Sequence, residues 1–250
     1  MTNIHVVIPA RLKSTRLPGK MLVDIAGKPM IQRVYEQVSK TKFKSIIIAT
    51  DSQEIKEVAE GFGAKVILTR DDHESGTDRI AEAVTSLEFD DDDIVVNVQG
   101  DEPLIESDLL SRLAKYHAES EFDMATVVKP FSGQDEEHAD PNKVKAIYSP
   151  VRGQCLYFSR ARLPFYRDNV EAQDWFLHIG IYSFKPEILK AFCKLELSYY
   201  ENIEKLEQLR ALENGYTIGA IKTDMTLMGV DVPDDIEKLE GVLRERENES

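Results

Sequence analysis

Short apolar, β-branched runs recur along the first half of the chain, and each is followed by a stretch with helical spacing. Ile4 to Ile8 reads IHVVI, Ser45 to Thr50 SIIIAT, Lys65 to Thr69 KVILT and Ile94 to Val98 IVVNV. Such short runs, bounded by polar residues, predict buried strands. Between them, Pro29 to Lys40 sets Met30, Val34 and Val38 at helical spacing, with Pro29 at the first helical position. Asp51 and Ser52 offer an N-cap to a helix over 53–62, which Gly63 ends. Two further helices are predicted over 78–87 and 106–118. Strands alternating with helices at this spacing mean βαβ units and a mostly parallel sheet.

The alternation loosens after about Met124. Strands are predicted over 124–128, 144–148, 154–158, 177–184 and 216–222. Helices are predicted over 186–195, 203–214 and 233–244, with 245–250 frayed. No internal repeat or linker interrupts the chain. It reads as one α/β domain over residues 1–250, with halves at about 1–122 and 123–250.

Composition narrows the function classes. The hydrophobic share is 42% and the charged share 30%, enough apolar residue to bury a core and too much for general disorder. Acids outnumber bases 45 to 31, a net charge of −14, which disfavours duplex nucleic acid as a partner. Cys155 and Cys193 are too few for a disulfide framework, so a reducing compartment is expected. Neither a leader pattern nor a membrane-length apolar run occurs in the sequence. A soluble, cytoplasmic protein is expected.

Against this acidic background, one segment is cationic. Residues 11–20, RLKSTRLPGK, carry four cations, and no acid occurs before Asp24. The segment follows the first strand, at the carboxyl edge where open parallel sheets bind ligands. Arg forks, Lys point charges and small residues suit a polyphosphate. The pattern is neither a Walker A loop nor a dinucleotide glycine motif, and a solvated basic loop is the plain alternative.

Four other segments add chemistry. Asn97 to Pro103, NVQGDEP, ends a strand at Gly100 and places Asp101 at the same edge, where it either caps a turn or serves as a Mg²⁺ ligand beside phosphates. A second carboxylate is expected, and Asp231 before the last helix is the candidate, with an N-cap as its other reading. In Asp72 to Arg79, DHESGTDR, the amides of Ser75 and Gly76 can read a base edge, while Ser75 or Thr77 can cap the following helix. His178 and Tyr182 are four residues apart in an apolar strand and share its face. Glu207 and Gln208 lie on a predicted helix, where an exposed charged face is the bland reading.

Taken together these segments resemble the CMP-Kdo synthetases, the 3-deoxy-manno-octulosonate cytidylyltransferases. The likeness runs through IPAR at 8–11, STRLPGK at 14–20, ATD at 49–51, SGTDR at 75–79, NVQGDEP at 97–103, LYFSR at 156–160, HIGIY at 178–182, LEQLR at 206–210 and GVD at 229–231. It implies a nucleotidyltransferase α/β fold of Rossmann-like, GT-A-like kind: a mostly parallel mixed sheet flanked by helices, with a smaller sugar-side and dimerisation lobe. It implies a homodimer that joins CTP and Kdo into CMP-Kdo and diphosphate with Mg²⁺, for lipopolysaccharide synthesis. By resemblance, Arg11, Arg16 and Lys20 hold the triphosphate, and Ala10, Ser75 and Gly76 line the cytosine pocket, with Ser14 and Arg79 in the same nucleotide set. Asp101 and Asp231 hold the metal, so Arg11, Lys20, Asp101 and Asp231 form the catalytic set. Gln99, Arg160, His178, Tyr182, Glu207 and Gln208 contact the sugar acid.

Departures from the family pattern lie on the acceptor side. Leu177 stands where the family commonly has a cation, Ser198-Tyr199-Tyr200-Glu201 replaces a Ser-Pro segment, and Val232 replaces a Thr. Cytidylyl transfer is therefore the firmer expectation. Kdo is the first acceptor, and 8-amino-3,8-dideoxy-manno-octulosonate (Kdo8N) or another ulosonic acid the alternative. A glycosyltransferase of similar fold would need an Asp-x-Asp strand end, which Asp101-Glu102-Pro103 does not supply. A non-catalytic nucleotide sensor would show a broken phosphate loop.

Overall fold

The computed structural model describes residues 2–14, 17–87, 89–133, 136–168, 174–225, 228–230 and 232–248. The strands of the first half are β1 Ile4–Ala10, β4 Ser45–Thr50, β5 Lys65–Leu68 and β6 Ile94–Asn97, joined by α1 Met30–Val38, α2 Gln53–Gly61, α3 Gly76–Ser86 and α4 Ser107–Ala118. A 3₁₀ turn over Lys20–Leu22 and a hairpin of β2 Asp24–Ile25 with β3 Lys28–Pro29 intervene before α1. These two-residue strands carry no periodicity and went unpredicted. Pro29 sits at the N-cap of α1, one residue before the expected position.

β5, β4, β1 and β6 pair in parallel, so the segments after β1, β4 and β6 emerge at one edge. Val6 and Ile8 pack on the side of α1, α2 and α4. Val7 packs on the other side with Ile80 and Val84 of α3. Period-two alternation thus feeds two cores from one strand.

The second half continues the same nine-stranded sheet, in the order β5-β4-β1-β6-β10-β7-β11-β9-β8. Its strands are β7 Met124–Ser132, β8 Lys145–Ser149, β9 Gln154–Ser159, β10 Asp174–Phe184 and β11 Ile218–Lys222, with the short α5 Glu136–Ala139 after β7. β10 runs antiparallel to both β6 and β7 and also pairs with β8, so these last five strands curl into a closed ring. α6 Pro186–Phe192, α7 Tyr199–Glu204, α8 Gln208–Glu213 and α9 Pro233–Asn248 complete the chain.

Two expectations are corrected here. The helix expected over 203–214 is two helices, because Lys205 adopts a left-handed conformation (φ 53°) that ends α7. A capping box of Ser198 with Glu201 starts α7 at Tyr199, four residues before the expected helix start. Of the segment expected to fray, residues 245–248 continue α9 instead, while 249–250 lie outside the described residues. No described helix is long and apolar enough to cross a membrane.

β10 carries an irregularity that positions the site. His178 and Ile179 pair with Val128 and Val127, and Tyr182 pairs with the next residue of β7, Thr126. Gly180 and Ile181 therefore bulge out with no partner. Thr126 Oγ1 lies 2.8 Å from the Ile181 carbonyl and 3.2 Å from that of Ile179, plugging the bulge. Because two residues are inserted, the alternation survives. Phe176, Tyr182 and Phe184 share one core, while Leu177, Ile179 and Ile181 share the other.

His117 on α4 is fully buried, its Nε2 donating to the Phe122 carbonyl at 3.2 Å and its Nδ1 accepting from Ser183 Oγ at 2.9 Å. With these roles the ring is neutral, and burial above all pushes its pKa down to about 4. The unfolded chain takes up that proton near pH 6.5. Between pH 6.5 and 4 the unfolded state binds more protons, so each unit of acidification costs about 1.4 kcal/mol of stability through this group. Urea titrations across that range are expected to give a His117→Gln slope of stability against pH shallower than wild type by about that amount. Equal slopes would show that His117 is not a neutral buried group.

Candidate active site

The edge shared by β1, β4 and β6 opens into a cleft of about 350 Å³. Ala10, Arg11, Ser14 and Lys20 line it from the basic segment, Gln99 and Asp101 from the end of β6, and Gly76 and Arg79 from α3. The strand order thus brings together residues spread over ninety positions. Gly100 lets the two walls approach: a Cβ there would lie 2.8 Å from Met21 Sδ and 3.0 Å from the Pro9 carbonyl. Gly19, in the left-handed region at φ 67°, turns the basic segment into the 3₁₀ turn that carries Lys20.

Lys20 is only 7% exposed, and its Nζ donates to Asp101 Oδ2 at 2.6 Å. A nearly buried ammonium is thereby held at the cleft wall against the carboxylate expected to hold metal. The Val230 amide donates to the Asp101 carbonyl at 3.1 Å, which brings the chain just before residue 231 to the same place. Asp231 itself and Arg16 lie outside the described residues. Among the described residues, no three His, Cys, Asp or Glu side chains gather as a metal cluster. One carboxylate facing a cationic pocket matches Mg²⁺, which takes one or two carboxylates plus phosphate oxygens.

The structure shows the capping reading of the Ser75 segment. Ser75 is the N-cap of α3, its hydroxyl accepting from the Asp78 amide at 3.1 Å. Its own amide donates to Asp78 Oδ2 at 3.2 Å, so that amide is engaged in the cap. Gly76, in the first turn, remains at the cleft wall.

Arg79 is placed at the cleft but turned into the protein. It is 2% exposed and donates to Asp51 Oδ2 at 2.8 Å, to the Arg70 carbonyl at 3.2 Å and to Thr69 Oγ1. Asp51 also accepts from the Leu12 amide at 3.4 Å. Arg79 thus buttresses the basic segment through Asp51, with both terminal nitrogens donating to protein groups.

The acceptor-side residues form a neighbouring cluster. His178 and Tyr182 face the same way across the bulge, ring centroids 5.4 Å apart. His178 Nε2 lies 3.2 Å from Thr126 Oγ1, and desolvation pushes its pKa down to about 3, so it works as a neutral ring. The Tyr182 phenol is pushed well up, first by burial and then by the nearby Glu207 carboxylate. The break between α7 and α8 is what aims Glu207 and Gln208 inward, against the exposed-face reading. Gln208 is 6% exposed, with no hydrogen-bond partner for its Nε2 among the described residues. Glu207 accepts from Thr77 Oγ1 at 2.7 Å and from Arg210 Nη2 at 3.2 Å, and burial, first among the causes, raises its pKa. It opens onto a second cleft of about 870 Å³ between α3 and α6–α8.

Arg160 is held at the end of β9 by the carbonyls of Glu204 at 2.7 Å and Pro141 at 3.0 Å. Its own carbonyl accepts from Lys145, a fully buried lysine also bonded to the carbonyls of Asp140 and Lys143. Leu177 packs in the opposite core from Tyr182, so it does not face the acceptor cluster. Sequence reasoning missed Thr77 and Thr126 as contacts. Thr77 resembled a helix cap, and a bond across 130 residues leaves no local signal.

The sequence matches the cytidylyltransferase family profile over residues 5–221. The 3-deoxy-manno-octulosonate cytidylyltransferase of Francisella philomiragia is 58% identical over 245 residues, 96% of this chain and 98% of that protein. This chain belongs to the 3-deoxy-manno-octulosonate cytidylyltransferase family. The Photobacterium profundum member is 45% identical over 96% of this chain and 99% of its own length. A solved CMP:2-keto-3-deoxy-manno-octonic acid synthetase, complexed with CTP, superposes with a TM-score of 0.91 at 37% identity, over 98% of this chain and 100% of that one. Family membership confirms the nucleotidyltransferase fold and enzyme class expected from the motifs. The family profile takes in the basic segment, Asp101 and the Glu207–Gln208 pair, while Asp231 and α9 follow it.

Proposed function

We propose that this chain activates Kdo as its CMP ester, with CTP as donor and diphosphate as leaving group, for lipopolysaccharide synthesis in the cytoplasm. The observation that carries the reading is the Lys20–Asp101 pair in a cationic cleft of an otherwise acidic chain, within a sequence 58% identical to a protein of that name. The anomeric hydroxyl of the sugar attacks the α-phosphorus of CTP in line, and diphosphate departs. Such a transfer needs positioning and charge neutralisation more than covalent help. Arg11 and Lys20 take the triphosphate oxygens, joined by Arg16. The first turn of α3 at Gly76 walls the base. Asp101, with Asp231, would hold Mg²⁺, which when bound neutralises phosphate charge and acidifies the attacking hydroxyl. Gln99, Arg160, neutral His178, Tyr182, Glu207 and Gln208 orient the sugar acid.

The proposal includes a homodimer. Its support is apolar exposure on and around α7, where Tyr199 is 70%, Leu197 63% and Ile203 59% exposed. Diphosphate release with CTP and Mg²⁺ is expected to be fastest with Kdo in a panel that also holds Kdo8N and a sialic acid. Because Leu177 faces away from the cluster, Leu177→Arg is expected to leave the ratio of kcat/KM for Kdo and Kdo8N unchanged. Release with a sialic acid but not with Kdo would overturn the acceptor assignment.

A further inference from the structure

Two halves of a bisubstrate site must be held in register, and a short hydrogen bond from Thr77 helps to span them. Thr77 lies in the first turn of α3, beside Gly76 at the nucleotide cleft, and is 6% exposed. Its hydroxyl donates to Glu207 Oε2 at 2.7 Å. The Ser75 hydroxyl also lies within reach of Glu207, but it is shared with Asp78 Oδ2 at 2.8 Å in the helix cap, so Thr77 is the partner committed to Glu207. The other Glu207 oxygen accepts from Arg210 Nη2 at 3.2 Å, and Arg210 Nε is in turn 3.0 Å from Glu201 Oε2. The carboxylate is therefore clamped from α8 on one side and from α3 on the other. Next to it stands Gln208, whose buried amide nitrogen lacks a partner among the described residues, and Tyr182 lies close enough to feel the charge.

We propose that Thr77 is a positioning residue for the acceptor: anchored on the helix that walls the nucleotide cleft, its hydroxyl fixes the Glu207 carboxylate and with it the acceptor wall of Glu207 and Gln208. The inference rests on the functional reading above, in which those two residues face the sugar acid. Thr77 itself touches neither substrate. Its hydroxyl offers Glu207 one direction to point, and without it the carboxylate is free to turn toward Arg210 and the open cleft. The consequence is a selective defect. The nucleotide half keeps its own supports, namely the Ser75 cap and the Arg79–Asp51 buttress. The acceptor half loses the Thr77 tie to α3.

The test is steady-state kinetics with CTP and Kdo varied independently, in wild type, Thr77→Val and Thr77→Ser. Valine keeps the shape of threonine and removes the hydroxyl, and serine keeps the hydroxyl. Thr77→Val is expected to raise KM for Kdo about tenfold, the scale of one hydrogen bond to a charged group. KM for CTP is expected to stay within about twofold, and serine to restore the Kdo value. Equal rises in both KM values, an unchanged Kdo KM, or failure of serine to rescue would overturn the proposal. Thr77→Ala enters the same comparison if the valine variant does not fold. A double-mutant cycle with Glu207→Gln is expected to be strongly non-additive, and additive losses would likewise count against the tie. No turnover of Kdo by wild type defeats the functional reading. Normal wild-type turnover with an unaffected Thr77→Val defeats the inference alone.

Discussion

Asp101→Asn is expected to fold normally and to lose at least about two orders of magnitude in turnover, the scale of removing one preorganised electrostatic contact from a transition state. The fold is spared because the contact of this residue with the segment at Val230 runs through its backbone carbonyl, which the substitution leaves in place. An asparagine oxygen can still accept from Lys20, so the ammonium keeps a partner. What disappears is the negative charge that would draw Mg²⁺ to the triphosphate. The loss should appear in kcat at saturating CTP, and added Mg²⁺ should recover part of it. Near-normal turnover with Mg²⁺ still required would remove Asp101 from the reaction.

Lys20→Met gives a second large effect with a different signature. Methionine keeps the length and apolar stem of the side chain, which is packed in a nearly buried position. Its loss is electrostatic, so CTP affinity is expected to fall about 10- to 100-fold, the range for charge-assisted hydrogen bonds. The melting temperature should move little, because the Asp101 side chain is 28% exposed and stays hydrated when its cation is gone. Freed of Lys20, that carboxylate should bind Mg²⁺ more tightly in the absence of nucleotide. Calorimetry thus has two arms of opposite sign. An unchanged CTP affinity would return residues 11–20 to the status of a solvated basic loop.

The parallel half of the fold could be read because its signals are local. A β-branched run, a cap and a glycine stop recur in order, and the edge rule for parallel sheets then brings Lys20 and Asp101 together without any knowledge of distance. The acceptor half was legible only as motifs. Nothing in Ile203 to Asn214 announces that Lys205 turns left-handed, since that conformation is ordinarily the province of glycine and asparagine. Yet this turn decides whether Glu207 and Gln208 face solvent or the site. Arg79 is the converse case, lining the cleft while donating inward. A cation beside a phosphate loop reads as a ligand, and only the fold reveals Asp51 and Thr69 waiting for it. Local pattern therefore pointed to the cleft, while the partners of each charged group around it lie far away in the chain.

The paired bulge at Gly180 and Ile181 sets a rule for how the length of β10 can drift. Losing one of the two residues, unless the other is absorbed as a one-residue bulge, would swap every following side chain to the opposite face, driving Tyr182 and Phe184 into the core beneath α4 and ending both packing and site. Losing both would leave the faces as they are and erase only the bend that Thr126 plugs. Insertions obey the same arithmetic. Viable length variants of this strand should therefore come chiefly in steps of two, and a library of single and double deletions across 179–182 is expected to recover folded protein mainly from the double deletions.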